Sequence, residues 1–300
     1  MSERLAILIT GGEGQVGREL TALAWPDNVD LYAPARESLD IAAPESVKRA
    51  FEARRYDCVI NTAAYTAVDK AETETSRAFA INAFGPALLA EAARQAGAPI
   101  IQVSTDYVFD GSNQDAYVED HPTAPLGAYG ASKLAGELAT RSGNARSVVV
   151  RTAWVFSRHR TNFLKTVLHL AHARPRLRIV DDQSGCPTSA KDIARALQKI
   201  ALRMLNDQDA PTGIFHFVNA GNTTWAGFAR EILKQHYGDE AAAGRVEGIS
   251  TDDYPTPAKR PANSRLATIK IQQAYGIEPR PWPSALAEVV TELKTRKDGA

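Results

Sequence analysis

The chain has 300 residues, 44% of them hydrophobic, so it is long enough to bury a large core as one α/β unit or as two smaller lobes. Lys and Arg together number 35, as do Asp and Glu. This balance excludes the strongly basic surface that is typical of nucleic-acid-binding proteins, and we expect no nucleic-acid partner.

The cysteines and the N-terminal residues bear on the cellular compartment. Cys58 and Cys186 are far apart and form no C-x-x-C spacing, which indicates neither a disulfide framework nor a zinc site. The first residues pass from polar side chains straight into a short apolar run without a cleavage site, and no run approaches 18 apolar residues. We therefore expect no membrane segment and a cytoplasmic location.

The first half of the chain alternates short apolar runs with longer helix-like segments, a pattern typical of parallel strands joined by crossover helices. Runs rich in Val, Ile and Leu, as expected of strands buried on both faces, cover residues 5–10, 29–32, 57–63, 99–105 and 147–153. Residues 213–220 predict a late return to the same sheet. Segment 76–97 has apolar residues at helical spacing and ends at Gly97, which suits a helix C-terminus.

The last third of the chain differs, because predicted helices at 189–205, 224–237 and 283–296 are separated by proline-bearing loops. We expect these residues to form a smaller lobe beside the sheet. The predicted division places residues 1–155 in the first lobe, rejoined by about 186–220. Residues 156–185 and 221–300 then make the second lobe.

Three glycines, Gly11, Gly14 and Gly17, follow the first predicted strand in the spacing G-x-x-G-x-x-G, at the start of a helix. Glycines at such a turn let backbone N–H groups approach a pyrophosphate, and a helix N-terminus carries about half a positive charge. A tight strand-to-helix turn without a ligand is the alternative interpretation. We predict an α/β fold with a dinucleotide-binding, Rossmann-type doubly wound parallel sheet and a second, smaller substrate-binding lobe.

The residues after the second predicted strand bear on the choice of dinucleotide. An acidic residue near this point holds the ribose 2′-hydroxyl of NAD, whereas an arginine receives the 2′-phosphate of NADP. Arg36 lies close to this point, and Asp40 comes several residues later, nearer the adenine. We therefore predict NADPH as the preferred cofactor, with NADH also accepted, although a solvated Arg36 is the alternative.

Tyr129 and Lys133 are four residues apart, which puts them on one face of a predicted helix. Chance alone produces such pairs, but Thr105 and Asp106 end the fourth predicted strand, at the edge where open α/β sheets bind ligands. An ammonium about 4 Å from a phenol contributes about 4 kcal/mol at an effective dielectric near 20, or roughly three pK units. We expect Tyr129 to donate a proton with its pKa lowered by Lys133, and Thr105 to bind a carbonyl oxygen.

Together these motifs resemble the extended branch of the short-chain dehydrogenase/reductase superfamily. Longer strings, among them NTAAYTAVDKAE (61–72), VSTDYVFDG (103–111), YGASKLAGE (129–137), RTAWVFS (151–157) and DDQSGCPTSA (181–190), closely resemble the dTDP-4-dehydrorhamnose reductase family. The segment RPANSRL (260–266) extends the resemblance into the second lobe. The resemblance implies NADPH-dependent reduction of the 4-keto group of a dTDP-linked 4-keto-6-deoxysugar to give dTDP-L-rhamnose, a polysaccharide precursor. It also implies a homodimer, and some relatives use Mg²⁺.

The resemblance also assigns residues to ligands. On the cofactor it places Gly14, Gln15 and Val16 at the pyrophosphate, Asp40 and Ile41 at the adenine side, Ala63, Ala64 and Tyr65 at the ribose, and the pair Tyr129 and Lys133. Tyr65 stands where the family often has histidine, which puts that contact in doubt. On the nucleotide sugar it places Thr66, Val68, Thr105, Asp106 and Trp154. Arginine matches phosphate geometry, so we expect Arg260 at the sugar diphosphate, with Arg265, Asn162, Gln183 and Thr188 as weaker candidates.

Two other functions stay open on sequence grounds. The first is a nucleotide-sugar epimerase or dehydratase of the same superfamily, which would show no net redox change; Thr105 is followed by the single carboxylate of Asp106 and then by Tyr107. The second is a non-catalytic, NADP-binding regulatory subunit, although Thr105, Tyr129 and Lys133 are all present. His159, His169 and His172 lack the spacing of a metal site, so we assign no metal ligands.

Overall fold

The computed structural model describes residues 4–297. Its strands are β1 (Leu5–Thr10), β2 (Val29–Tyr32), β3 (Cys58–Asn61), β4 (Ile100–Thr105), β5 (Ser147–Thr152), β6 (Val155–Phe156), β7 (Leu177–Val180), β8 (Ser184–Gly185), β9 (Thr188–Ser189), β10 (Gly213–His216), β11 (Thr223–Thr224), β12 (Val246–Ile249) and β13 (Asn263–Ser264). Its α-helices are α1 (Gln15–Ala22), α2 (Pro44–Ala53), α3 (Val68–Ala71), α4 (Thr75–Phe79), α5 (Gly85–Gln95), α6 (Ala128–Gly143), α7 (Phe163–Ala173), α8 (Ala190–Asn206), α9 (Trp225–Tyr237), α10 (Asp239–Ala242), α11 (Ile269–Tyr275) and α12 (Trp282–Lys297). Among the helices of residues 4–297, none combines the length and the apolar character needed to cross a bilayer.

The predicted parallel sheet is confirmed, in the strand order β2-β1-β3-β4-β5-β10. Strand β10 comes late in the chain and joins the edge of the sheet beside β5, as the apolar run at 213–220 predicts. After β2 the chain crosses β1 to form β3, so the strand order reverses between β1 and β3. Ligands of doubly wound sheets bind beyond the carboxyl ends of the strands at such a reversal.

Alternating side chains of the strands supply the core on both faces of the sheet. Ile7 and Ile9 of β1 belong to a cluster with Leu20 of α1 and Leu197 of α8. Leu8 points the other way, into a cluster with residues of α2 and α5. Because a strand covered on both faces needs apolar residues at every position, these strands read as continuous Val, Ile and Leu runs.

The second lobe has its own core, in which α7, α9 and α12 pack through Leu164, Phe228 and Leu286. Strands β7 and β12 pair in parallel beside these helices. Ile271 and Tyr275 of α11, in contrast, belong to the cluster of the central sheet. We infer that α11 belongs to the first lobe, although the sequence division placed all of 221–300 in the second.

The predicted helix at 76–97 differs from expectation, because residues Ala80–Phe84 form a π-helix between α4 and α5. The wider turn directs Asn82 inward, where its amide accepts a hydrogen bond from Tyr65 N–H and donates to Tyr65 O and Ser132 Oγ. Hydrophobic periodicity does not report such a contact, and π-turns often occur near functional sites. Helix α5 ends at Gln95, and Gly97, two residues later, has φ +74°, as suits the residue that follows a helix C-terminus.

Candidate active site

A cavity of about 1410 Å³ lies at the carboxyl edge of the central sheet and extends into the second lobe. Of the residues predicted for the site, those that line this cavity are Gly11, Gly14, Gln15, Val16, Arg36, Asp40, Ile41, Ala63, Ala64, Thr66, Val68, Thr105, Asp106, Tyr129, Lys133, Trp154 and Arg260, together with the weaker candidates Asn162 and Gln183. Gly17 and Tyr65 do not line it. The volume exceeds that of a typical small-molecule pocket, about 300–1,000 Å³, so there is room for two ligands.

The glycine loop forms the floor of the first part of the cavity. Gly11 has φ +71°, and a Cβ there would lie 2.6 Å from Ala63 N. The N–H of Gly14 donates to Gly11 O at 2.9 Å, which closes the turn before α1. Gly17 faces away from the cavity, and a Cβ there would lie 2.3 Å from Gly11 O. Gly17 therefore permits close packing of the helix on the loop instead of contacting a ligand.

Gln15 connects the glycine loop to the second lobe. Its side-chain oxygen accepts hydrogen bonds from Ser157 Oγ and from Asn162 Nδ2, each at 2.9 Å. Asn162 in turn caps α7 by accepting from Lys165 N–H. Gln15 is also the first residue of α1, where backbone N–H groups have no partner within the helix and can bind an anion.

Tyr65 is the predicted ribose contact that the structure does not bring to the cavity. Its ring packs with Leu8, Leu39 and Ala78 in the cluster between the sheet and its helices. Its backbone is held on both sides by the Asn82 amide. The side chain at position 65 therefore supports the loop that carries Ala63 and Ala64.

Arg36 lies at the mouth of the first part of the cavity, 3.4 Å from Asp40, and its side chain is 55% exposed. An exposed pair of this kind contributes little energy, so the guanidinium is available to an incoming phosphate. A second feature also fits a polar cofactor: Thr152 lines the cavity, and its hydroxyl is buried without a hydrogen-bond partner within the described residues. The glycine loop, Arg36 and Thr152 together fit a phosphorylated dinucleotide.

Thr105 and Tyr129 meet where β4 ends against α6, and Lys133 is buried one helical turn after Tyr129. A hydrogen bond joins Thr105 to Tyr129, and the Thr105 hydroxyl donates to Asp106 Oδ1 at 3.0 Å. Burial raises the pKa of Asp106 to about 6, and hydrogen bonds with Ser264 and Thr105 oppose that rise. The side chains of Thr105, Tyr129 and Asp106, each of which can donate or exchange a proton, therefore lie together at this end of β4.

The sequence prediction for the pKa of Tyr129 is wrong for this structure. Burial raises it to about 12, because the apolar surroundings disfavour a phenolate, and the hydrogen bond with Thr105 opposes the rise only in part. The Lys133 ammonium does not approach the phenol but donates to Val103 O at 2.7 Å. Burial also lowers the pKa of Lys133 to about 8. Helical spacing placed both residues on one face but did not fix where the long lysine side chain ends.

Trp154 forms part of the wall towards the second lobe. Its backbone has φ +48°, which is uncommon for a non-glycine residue. Its indole stacks on that of Trp225, with ring centroids 3.6 Å apart, and a Cβ at Gly185 would lie 2.3 Å from it. Trp225 also lines the cavity, and sequence analysis missed it because no motif links the two tryptophans, which lie 71 positions apart.

Arg260 lines the cavity, but its guanidinium is engaged by the Asp69 carboxylate, with N–O distances of 3.2 and 3.1 Å. Arg265 does not line the cavity and bonds to Asn263 Oδ1 and Gln114 O. Besides Lys133, the cavity-lining cations for which residues 4–297 provide no ion pair are Arg160, Lys165 and Arg174. These three surround the part of the cavity next to α7, where a second anion would meet them.

The histidines show no metal site either. His159 lies 3.2 Å from Glu19 Oε1, and within the described residues no group of three or more His, Cys, Asp or Glu side chains is placed to hold a metal ion. The use of Mg²⁺ stays a prediction from the resemblance.

Comparison with known proteins gives consistent results. The family model described as the RmlD substrate binding domain matches residues 5–295. The dTDP-4-dehydrorhamnose reductase of Sinorhizobium fredii is 42% identical over 290 residues, which cover 96% of this chain and 98% of that protein. A crystal structure of a dTDP-4-dehydrorhamnose reductase from Clostridium acetobutylicum has a TM-score of 0.90 at 37% identity, covering 97% and 100% of the two chains. That of the Bacillus anthracis enzyme, in complex with NADP, has a TM-score of 0.88 at 31% identity, covering 96% and 99%.

Proposed function

We propose, from the fact that this chain belongs to the family of the RmlD substrate binding domain, that it is an NADPH-dependent dTDP-4-dehydrorhamnose reductase. The observation that carries the proposal is the shared cavity, which brings the glycine loop, Arg36, Thr105, Tyr129 and Lys133 to one carboxyl edge of the sheet. The substrate is dTDP-4-dehydro-L-rhamnose and the product dTDP-L-rhamnose. The resemblance further implies a homodimer in the cytoplasm and some use of NADH, and these stay predictions.

The reaction reduces the 4-keto group of the sugar to an alcohol. NADPH, when bound, supplies the hydride. Thr105 and Tyr129 bind the ketone oxygen by hydrogen bonds, and Tyr129 donates the proton that this oxygen needs as it gains negative charge. Because the pKa of Tyr129 is raised to about 12, the phenol carries its proton at neutral pH. Trp154 and the Trp225 indole stacked on it form the apolar wall beside which the deoxysugar binds.

The two alternative functions have less support. An epimerase or dehydratase would need further acid–base groups beside Thr105, but Asp106 is followed by Tyr107, whose ring packs edge-on against Tyr129. A regulatory subunit would not require the complete set of Thr105, Tyr129 and Lys133 facing one cavity. The curated relatives at about 40% identity are named as reductases.

One assay tests the function directly. Purified protein is mixed with NADPH and the dTDP-ketosugar made in situ from dTDP-glucose, and the fall of NADPH absorbance is followed while the sugar product is identified by mass and stereochemistry. One NADPH consumed for each dTDP-L-rhamnose formed is the expected result. Conversion of the sugar without net NADPH consumption would favour the epimerase or dehydratase.

Replacing Arg36 with alanine is expected to raise KM for NADPH about 10- to 100-fold and to change KM for NADH less than twofold. The reason is that a charge-assisted bond to the 2′-phosphate contributes about 1.5–3 kcal/mol, and NADH has no such phosphate. Steady-state kinetics with both cofactors measure the ratio. Arg55→Ala, an exposed arginine outside the cavity, is the control. Equal effects on the two cofactors would contradict the NADPH assignment.

We also propose that Lys165 and Arg174 bind the diphosphate of the nucleotide sugar in place of Arg260. They line the cavity beside α7, and residues 4–297 offer them no ion pair, whereas Arg260 already pairs with Asp69. The double variant K165M/R174M is expected to raise KM for the sugar nucleotide at least tenfold, because two charge-assisted contacts are lost, with kcat and KM for NADPH within threefold. The comparison is with Arg176→Met, an exposed arginine outside the cavity. An unchanged KM for the sugar nucleotide in K165M/R174M would indicate that Arg260 binds the diphosphate instead.

A further inference from the structure

The carboxylate of Glu137 joins three elements that carry proposed site residues. It lies on α6, one helical turn after Lys133, and its side chain is 1% exposed. Arg151 of β5 donates to it twice, from Nε to Oε1 at 2.9 Å and from a terminal nitrogen to Oε2 at 2.7 Å. Ser104 of β4 donates its hydroxyl to Oε1. Ser104 directly precedes Thr105, and Arg151 lies three residues before Trp154.

Stability alone does not account for this arrangement. Removing two charges from water costs about as much as their mutual attraction returns, so buried ion pairs are often replaced by apolar residues without loss of stability. Arg151 and Glu137 are nevertheless both almost fully buried in the middle of the sheet and helix layers. A requirement of the neighbouring site is a better explanation.

The residue of the neighbouring site that needs the Glu137 carboxylate is Lys133. Its ammonium is buried and its hydrogen-bond partner is an uncharged carbonyl, Val103 O. Burial lowers the pKa of Lys133, and the charge of Glu137 is the influence that raises it. Within the described residues no ion pair within 4 Å joins Lys133 to Glu137, so the carboxylate acts through space along the helix face.

We infer that Glu137 is a positioning residue: with Arg151 and Ser104 it fixes α6 against the end of β4, and its charge keeps Lys133 a cation. This inference rests on the reductase function proposed above and takes Lys133, which lines the same cavity as Thr105 and Tyr129, to act there as a cation. It adds a charge requirement, carried by a residue that does not line the cavity.

The other charged or polar groups around this part of the helix do not replace Glu137. Those near it or its partners include Thr105 from β4, Asp106 from the following turn, Glu119 beside Arg151 and His216, Arg151 from β5, His216 from β10, Glu72 directly after α3 and Asn82 from the π-helix. Burial and the charge of Arg151 lower the pKa of His216 to about 3, so it is neutral. Glu72 accepts from Ala128 N–H at the far end of α6.

The test compares pH profiles of kcat/KM for Glu137→Gln and Glu137→Asp. An amine whose pKa is about 8 is a cation below that pH and loses its charge as the pH rises through it. Removing the negative charge in Glu137→Gln lowers the pKa of Lys133 further, so activity is lost at a pH about one unit lower. At pH 8 we therefore expect about a fivefold greater fall in kcat/KM, relative to its value at pH 6, than in the unmodified protein.

Glu137→Asp keeps the charge but shortens the side chain. We expect kcat to fall, while the alkaline limb of the pH profile of kcat/KM stays at its original pH. If Glu137→Gln does not fold with Arg151 left unpaired, the double variant E137M/R151M provides an uncharged pair of similar size for the same measurement. NADPH binding, followed by fluorescence, shows that each variant is folded. If a folded, uncharged variant loses activity at the same alkaline pH as the original protein, the inference is overturned. Failure of both uncharged variants to fold would also overturn it, because the pair would then be required for folding.

Discussion

Replacing Tyr129 with phenylalanine is expected to lower kcat by about 10²- to 10⁴-fold while the Kd for NADPH changes less than threefold. The substitution removes only the hydroxyl that bonds to Thr105, and a phenyl ring fills the same partly buried position. Without that hydroxyl the ketone oxygen has no proton donor where it gains charge. Steady-state NADPH oxidation gives kcat, and fluorescence titration gives the Kd.

Tyr107→Phe is the matched control for this variant. Tyr107 also lines the cavity, and its ring lies 5.4 Å from that of Tyr129, so the same change is made beside the proposed donor. Its turnover is expected to stay within about fivefold of the original, as for a substitution outside the reacting groups. Equal losses in the two variants, or full turnover in Tyr129→Phe, would exclude Tyr129 as the proton donor.

Gly17→Ala is expected to weaken NADPH binding at least tenfold and to lower the free energy of unfolding by about 1–3 kcal/mol. The new Cβ would lie 2.3 Å from Gly11 O and 2.7 Å from Gly12 Cα, and neither backbone atom has room to move without opening the loop. Isothermal titration with NADPH and thermal unfolding measure the two effects.

Gly97→Ala separates loop geometry from general destabilisation. Gly97 has φ +74°, and a Cβ there would meet nothing within 4 Å, so the cost is backbone strain of about 1 kcal/mol far from the cofactor loop. Its Tm should fall while its affinity for NADPH is unchanged. Loss of NADPH affinity in both variants to the same degree would show that Gly17 affects binding only through stability.

The sheet and the glycine loop were predictable because short-range rules determine them. Continuous apolar runs of four to seven residues can be satisfied only by strands covered on both faces, and β1 and β2 begin and end where these runs do. The left-handed turn at Gly11 likewise follows from local backbone geometry. These features depend on residues close together in the chain.

The errors concern side chains whose partners are distant in sequence. Lys133 bonds to Val103, thirty positions away, so helical spacing alone did not place its ammonium. Arg260 lines the cavity but pairs with Asp69, 191 positions away, a partner that residue chemistry alone did not indicate. Tyr65 faces the core because Asn82 of an unpredicted π-helix holds its backbone. For each, the direction of a long or buried side chain was set by tertiary contacts that no local pattern records.

The stacked indoles of Trp154 and Trp225 form an intrinsic spectroscopic probe. The chain has four tryptophans, and these two have nearly parallel rings, 9° apart, in the wall of the proposed sugar pocket. Transitions of two chromophores at such close range couple, so their circular dichroism depends on the angle between them. Any ligand that shifts one indole against the other therefore changes the ultraviolet spectrum of the unlabelled protein.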